Sequence, residues 1–537
     1  MWTISCAHLI DSLGSRGACE ARRFAWSHQT GFSLKLGVLS AFLLTSGMAL
    51  AEPQFIDRSG DLPIEHIYAG GWEHFVGGGV ALFDCNGDGR IDLFAAGGDR
   101  PASLLVNISE PDGALAFKVG KTPTILDTTG AYPLDIDSDG VMDLMVLRNG
   151  ANQLLRGTSD CHFEDATAAL TLPQDERWST AFSALWEPGQ TLPTLAIGNY
   201  VDATDPKGPF GTCDTNWLIR PEGATYGAPL SLDPGFCPLS MLFSDWRRDG
   251  HPLLRVSNDR QYYVRDGYEQ MWSLDPVKVW GAAEGWASLR LWGMGIASQD
   301  VTGDGLPDVM LTSMGDQMLM ANTGAGFATV PYATGTFAHK PYLPGDGRPS
   351  TGWHAEFGDM DNDGLVDLFI AKGNVDQMPG MAMEDPNNLL MQSGDGTFEE
   401  KGDVAGIATT ARGRGAGLVD LNNDGLLDIV VINRRAPLEI WQNATQDSGN
   451  WLALDLHQNG ANPRAVGAFV ELRIGGRVQT KELTIGGGHV SGQAAPLHFG
   501  LGTASEAEVR VIWPDQTATP WRVIRANQQT RITKNTP

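Results

Sequence analysis

Apolar residues in this chain fall in short β-like runs that recur in a fixed order. A Gly-rich stretch such as FVGGGVALF or LWGMGIAS leads into an acidic loop, and the loop into a second apolar run: DLFAAGG, DLMVLRNG, DVMLTS, DLFIAKG or DIVVIN. The unit closes with NNLLMQSGDGTFEE or its relatives NQLLRGTSDCHFED and QMLMANTGAGFATV. Four short strands in a period of about 50 to 60 residues describe a β-propeller blade, a little longer than a WD40 unit. The glycines place the strand before the loop innermost, where blades converge and backbones approach closely.

The loop has the form D-x-[D/N/T]-x-D-G-x-x-D and occurs five times: DCNGDGRID at 84–92, DIDSDGVMD at 135–143, DVTGDGLPD at 300–308, DMDNDGLVD at 359–367 and DLNNDGLLD at 420–428. Oxygens at positions 1, 3, 5 and 9, the carbonyl of position 7 and a Gly where the backbone turns at position 6 can wrap a hard cation that takes about six to eight oxygens. The expected ligands are Asp84, Asn86, Asp88, Arg90 (carbonyl) and Asp92 in the first loop, and Asp135, Asp137, Asp139, Val141 (carbonyl) and Asp143 in the second. The third offers Asp300, Thr302, Asp304, Leu306 (carbonyl) and Asp308, and the fourth Asp359, Asp361, Asp363, Leu365 (carbonyl) and Asp367. The fifth offers Asp420, Asn422, Asp424, Leu426 (carbonyl) and Asp428.

An EF-hand begins in the same way but needs Glu at position 12, where this chain has Ala95, Val146, Leu311, Ile370 and Val431. One such loop alone reads equally well as an Asx-turn with solvated carboxylates. Five copies, each crowding three or four carboxylates into nine residues, would repel strongly without a cation between them. About five Ca²⁺ ions are expected; Mg²⁺ fits such flexible all-protein cages poorly.

Loop starts at 84, 135, 300, 359 and 420 leave room for two degenerate copies between the second and third. SDWRRDGHPLLRVSN keeps Asp245, Asp249 and Gly250 but puts Arg247 at position 3 and Leu253 at position 9, so a guanidinium is expected in place of the cation. ALWEPGQTLPTLAIGN at 184–199 aligns with ALFDCNGDGRIDLFAAGG at 81–98 after a deletion within the loop. The total is seven units, a number that suits closure into a ring without exposed sheet edges.

These loops resemble the FG-GAP/VCBS repeats of integrin-α-type propellers. Residues 447–537 look like an ASPIC/UnbV domain through GNWLALDLHQNGANPRAVGAFVELRIGG, LHFGLG and VRVIWPDQ. The combination is similar to the cartilage acidic protein 1 family, including its bacterial members. The resemblance implies an all-β protein: a seven-bladed, Ca²⁺-binding β-propeller over 52–446 and a small β domain over 447–537. It carries metal only to the five intact loops, not to the blades of Glu187 and Asp245, and it brings no assigned reaction. The residues support the same reading of the carboxy-terminal part. WLALDLHQ, AFVELRIG, VQTKELTI and VRVIWP are short and β-rich, with turns at Asn459-Gly460 and Gly475-Gly476, which favours a β-sandwich joined through the polar stretch Asn443–Asn450.

Residues 36–51, LGVLSAFLLTSGMALA, have the layout of a secretory h-region and cleavage site, so residues 1–51 are expected to be a signal peptide and the mature protein to be secreted, periplasmic or cell-surface. No later segment has the apolar length of a membrane-spanning helix. Past the signal, four cysteines remain for an oxidising compartment. Cys213 and Cys237 flank a Pro- and Gly-rich stretch and pair first, leaving Cys85 with Cys161 by elimination.

The balance of 38 basic against 64 acidic residues, net −26, argues against nucleic acid and anionic lipid as partners. Seventeen of those acids sit in the five loops, so part of the charge is a metal inventory.

No G-x-S-x-G, HExxH or Walker loop is present, and catalytic residues cannot be named. His489 and His498, in GHVSGQAAPLHFGLG, are expected in surface or packing roles and His354 as a strand residue. Met378, Met381 and Met383 read as a hydrophobic loop plug ahead of a Cu(I) thioether site. The stretch Asn199–Ser240 is longer than a hairpin loop and is expected to face a ligand. The chain is thus expected to be a calcium-binding, adhesion-like module for a glycan or protein partner. The alternative is an enzyme acting on carbohydrate or peptide through carboxylates on the propeller face.

Overall fold

The computed structural model describes residues 51–206, 211–259, 267–337 and 346–534; the expected signal peptide, apart from Ala51, lies outside them. The fold is nearly all β, and among the described residues the helical segments are single 3-10 turns. Among the described residues, groups of four antiparallel strands succeed one another, and we number them as blades 1 to 7; the second and third are joined into one eight-stranded sheet where Arg177 and Trp178 pair with Gly150 and Asn149, and the first gains a short parallel strand. Their first strands are Val80–Phe83, Thr128–Leu134, Arg177–Leu185, Pro238–Ser244, Gly293–Gln299, Gly352–Gly358 and Gly413–Val419. Each first strand neighbours the next, and the seventh returns to the first, so the strands close a cycle about a common axis. The architecture is a β-propeller.

These inner strands are buried on both faces almost throughout, which is why they read as continuous apolar and Gly-rich runs rather than alternating ones. The core is a set of blade-to-blade interfaces. Phe83, Phe94 and Leu104 of blade 1 pack on Leu144, Leu155 and Phe163 of blade 2, and Met360, Phe369 and Leu389 of blade 6 pack on Leu418, Ile429 and Trp441 of blade 7. Blade 7 takes its outer strand from the start of the described chain. Phe55–Asp57 pairs antiparallel with Glu439–Asn443, Phe55 opposite Asn443, which fastens the ring non-covalently.

After Asn443 the chain enters two sheets that pack face to face. Leu497–Gly502, Asn450–His457 and Gln528–Thr533 form one, and Arg477–Glu482, Phe469–Ile474, Glu506–Ile512 and Arg522–Arg525 the other. Leu454, Val470, Phe499, Val509 and Trp513 fill the space between them. Propeller and terminal domain belong to one compact unit.

One segment of the terminal domain, Ile485–Ala494, leaves that sandwich and runs into the propeller axis. Ser183 Oγ of blade 3 donates to Ile485 O at 2.6 Å, Gly487 N donates to Met241 O of blade 4 at 2.7 Å, and Gly488 N to Ile296 O of blade 5 at 2.7 Å. His489 N then donates to His354 Nδ1 of blade 6 at 3.1 Å, and Ala131 N of blade 2 donates to Val490 O at 3.3 Å. Gly492–Gln493 finally pairs parallel with Ala81–Leu82 of blade 1. The axis admits this plug only because the strands around it lack side chains there. A Cβ on Gly79 would lie 1.8 Å from Val490 O, and one on Gly130 2.1 Å from the same atom.

Two expectations change. Asn199–Ser240 is not one long loop: Asn216–Ile219 and Leu230–Leu232 are the outer strands of blade 3, with a small hairpin, Pro221–Glu222 against Thr225–Tyr226, inserted between them. The deletion in this blade's acidic loop hid the period that would have marked those strands. His489 and His498 are not surface residues, because both are buried by the plug and its return strand, which leaves packing as their role.

Gly79→Ala forces the plug against a close-packed wall and is expected to cost about 1 to 3 kcal/mol. Gly60→Ala, where nothing lies within 4 Å, is expected to leave the melting temperature unchanged. Calorimetry of the two variants checks this, and equal melts would contradict a filled axis.

Candidate metal centres and the junction cavity

In every intact loop the acid at position 1 shapes the turn. Asp359 Oδ1 accepts Asp363 N at 3.1 Å and Oδ2 accepts Gly364 N at 2.7 Å; Asp420 does the same with Asp424 N at 3.1 Å and Gly425 N at 2.8 Å. Gly89, Gly140, Gly305, Gly364 and Gly425, at position 6, all have φ between 81° and 90°, a left-handed turn that Gly takes without strain. Position 9 opens the second strand and ties the blade together. Asp367 accepts Met360 N and, from the third strand, Gln392 N, both at 2.8 Å; Asp428 accepts Leu421 N and Asn443 N at the same distance.

The carboxylates that result stand close together. One oxygen each of Asp135, Asp137 and Asp143 lies within 4.8 Å of the others, and so it is with Asp359, Asp361 and Asp367. Asp84, Asp88 and Asp92, Asp300, Asp304 and Asp308, and Asp420, Asp424 and Asp428 occupy equivalent positions in their loops. Asn422, the expected position-3 ligand, is buried, and its Oδ1 has no hydrogen-bond partner while its amide donates to Asp424 and to Gly113 O. An orphaned buried oxygen beside two carboxylates suits a hard cation.

Burial, and after it the neighbouring carboxylates, holds these acids above their usual range. Asp92, Asp143, Asp361 and Asp420 are pushed up to about 7, and Asp135 and Asp300 to about 6. Asp359, Asp367 and Asp428 are pushed well above that range by the same causes. Blades 1 and 2 have partial relief from Arg90 on Asp88 at 3.2 Å and from Arg156 on Asp137 at 2.6 Å. Among the described residues, the loops of blades 6 and 7 have no ion pair at all.

The two degenerate loops neutralise their acid from within. In blade 3, Arg220 closes on Glu187 through two hydrogen bonds of 2.6 and 3.0 Å. In blade 4, Arg247 pairs with Asp249 at 2.9 Å and lies over the ring of Trp246. Arg248 reaches out from the same loop to Glu471 of the terminal domain at 2.6 Å and to Gly305 O at 2.9 Å.

Both disulfides are present, Cys85–Cys161 and Cys213–Cys237. The first staples the blade 1 loop to blade 2, so its sulfurs are not metal ligands despite their closeness to Asp92. The Met-rich loop is held by its backbone: Asn374 Nδ2 donates to the carbonyls of Met378, Met381 and Ala382, and Met381 is buried.

The loop face is also the seat of the terminal domain. Gly449 N donates to Asp361 O and Gly502 N to Asn362 O, both at 2.8 Å, and His498 Nε2 lies 3.0 Å from Gly425 O. A Cβ on Gly500 would strike Asp359 Oδ2 at 1.9 Å. Between this seat and the plug lies a cavity of about 430 Å³, lined among others by His354, Glu356, Trp451, Lys481 and Gln493. The sequence gives no sign of it, because its walls come from residues as far apart as Gly89 and Gln529.

Comparison with known proteins agrees with this anatomy. A model of the FG-GAP-like repeat matches residues 84–146, 300–370 and 378–431, and a model described as ASPIC and UnbV matches 458–537. The chain carries FG-GAP-like repeats and an ASPIC and UnbV domain. It is similar to cartilage acidic protein 1 of Mus musculus, 26% identical over 161 residues, and of Homo sapiens, 25% over the same length. The match covers 29% of this chain and spans about a quarter, 24%, of each relative. Among solved structures, the WD40 domain of Toxoplasma gondii coronin covers 74% of this chain and 89% of its own at 12% identity and a TM-score of 0.41. The extracellular domain of a hybrid two component system of B. thetaiotaomicron covers 90% of this chain and 60% of its own at 7% identity and a TM-score of 0.40.

Raised carboxyls in the FG-GAP loops make the metal-free fold sensitive to pH. A group whose folded pKa lies above its unfolded value stabilises the fold while protonated, and that stability is lost as pH rises through the folded value. Buried His489 and His498, pushed down to about 3, act in the opposite sense, but only below about pH 6.5. From pH 6.5 to 8 the melting temperature of chelator-treated protein is therefore expected to fall. A flat or rising profile in that window would contradict the crowding of the loops.

Proposed function

We propose that this protein is an interaction module of an oxidising, extracytoplasmic space, in which Ca²⁺ ions in five FG-GAP loops stiffen a propeller whose opposite face recognises a partner. The FG-GAP propeller fold itself suggests a protein-interaction role. The observation that carries the calcium reading is the contrast between blades. Blades 3 and 4 answer their loop acid with Arg220 and Arg247, whereas blades 6 and 7 gather seven buried or half-buried carboxylates with no ion pair among the described residues, Lys481 and Arg477 acting on Asp359 and Asp363 only from a distance. A hard cation with oxygen ligands resolves that repulsion, and Ca²⁺ suits the flexible, all-protein donor set. Two disulfides agree with an oxidising compartment, and among the described residues no helix is long and apolar enough to cross a membrane.

The terminal domain covers the loop face, which leaves the other end of the propeller to a glycan or protein partner. That end carries the remaining loop of blade 3, pinned by Cys213–Cys237 and backed by a packed cluster in which Phe75, Trp178 and Tyr200 are buried and Trp72 is half-buried, with ring centroids 5.0 to 6.0 Å apart. Such packing can hold the loop rigid for a partner. In the junction cavity, Glu482 accepts from Ser244 Oγ and Asp245 N, and Glu356 from Leu418 N and Gln493, so both carboxyl groups are held by fixed donors.

Metal analysis and calorimetric titration are expected to give about five Ca²⁺ per chain. At free Ca²⁺ one hundredfold above Kd, each occupied loop adds about 2.7 kcal/mol, so chelation lowers the melting temperature markedly. The double variant Asp359→Asn, Asp367→Asn is expected to lose one site. A protein without Ca²⁺ whose melt ignores EDTA would overturn the proposal, and a glycan array on the calcium-loaded chain decides whether the partner is a saccharide.

A further inference from the structure

The junction cavity holds a cation that no hydrogen bond satisfies. Lys481 extends from the terminal domain into it, and among the described residues its ammonium makes no hydrogen bond or ion pair: it lies 5.2 Å from the ring centroid of Phe499, and Asp359 and Glu356 act on it from beyond ion-pair distance. A half-buried cation left in this state is costly, and an anion entering the cavity would recover that cost. Burial pushes the Lys481 amine down to about 8, which leaves it mostly charged at neutral pH.

The rest of the wall restricts the anion. Glu356 faces the same space: its Oε2 accepts Leu418 N and lies 3.3 Å from His354 Nε2, while its Oε1 accepts Gln493 and keeps acceptor capacity, and Gln493 beside it is exposed at the mouth with its amide oxygen available. Carboxylate and amide together suit hydroxyl groups. Trp451 adds an indole held against His498, with ring centroids 6.3 Å apart and planes 17° from parallel, an apolar surface of the size of a pyranose C–H face. A dianion such as phosphate would meet Glu356 and Asp420 across the cavity, and like charge disfavours it; one ammonium matches one negative charge. At about 430 Å³ the cavity is within the usual range of small-molecule sites, at a domain junction where such sites are common.

We propose that this cavity is a binding site for a small polyhydroxylated monocarboxylate, a uronic acid in the first instance, with Lys481 on the carboxylate, Glu356 and Gln493 on hydroxyls and Trp451 on the ring face. It is separate from the partner face proposed above and does not require that partner to exist.

The test is titration of the full chain, in Ca²⁺ and again after chelation, with D-glucuronate, D-galacturonate, D-glucose and inorganic phosphate. Circular dichroism alongside separates loss of the fold from loss of the site. A uronate is expected to bind at least tenfold more tightly than glucose or phosphate. Lys481→Met is expected to remove that preference while keeping the fold, since it replaces an unpaired charge by an apolar chain; Lys481→Arg should retain it, and Glu356→Gln should weaken it severalfold. No uronate binding up to about 10 mM by the folded protein, equal affinity for glucose, preference for phosphate, or binding unchanged in Lys481→Met would each overturn the proposal. Absence of Ca²⁺ together with intact uronate binding would sink the calcium reading alone.

Discussion

Inner strands that converge on an axis need to be Gly-poor to fill it or Gly-rich to admit something else. Here they are Gly-rich, and what enters is backbone from another domain. Gly79, Gly130 and Gly415 each leave a gap that Val490 O or Ser491 Oγ occupies. The plug borrows hydrogen bonds from blades 1 to 6, so much of its backbone is paired in a place that water reaches poorly. Its tip is fixed by His489, which is fully buried against Trp353 with ring centroids 4.9 Å apart. Propeller and terminal domain are therefore interdependent: the ring lacks a centre without the plug, and the plug has no partners without the ring.

The plug is held in place by where its domain sits, and the domain sits on the acidic loops. Gly449, Gly502 and His498 bond to the backbone of the blade 6 and blade 7 loops, while Arg248 carries the blade 4 loop to Glu471. One electrostatic problem, several carboxyls in a tight turn, thus receives two solutions around the ring. Arginine supplies the positive charge where the motif has decayed, and a bound cation is the proposed solution where it is intact. The loops that would need the cation most, those of blades 6 and 7, are the ones beneath the terminal domain.

Much of this was legible in the chain because it is local. The spacing of Asp and Gly within nine residues names each loop, and the second strand begins at the very Asp that closes the motif, as at Asp367 and Asp428. The cysteine pairs follow once Cys213 and Cys237, on either side of one Pro- and Gly-rich stretch, are joined, because two cysteines then remain beyond the signal-like segment. What the sequence withheld depends on contacts made far along the chain. Phe55–Asp57 finds Asn443 only when the ring closes, and nothing in GHVSGQAAPLHFGLG marks it as the plug until the strands that surround it are in place. The outer strands of blade 3 were obscured by a hairpin inserted between them, and the cavity at Lys481 exists only because two domains meet.

The claim on which these relations rest is that occupied loops hold the terminal domain, and through it the plug, in register. Hydrogen exchange of peptides covering 485–493, with Ca²⁺ and after chelation, tests it directly. Slow exchange in the loaded protein that accelerates at least about tenfold on chelation is expected, because opening the seat frees the plug. Protection of the plug that is the same in both states would contradict the coupling.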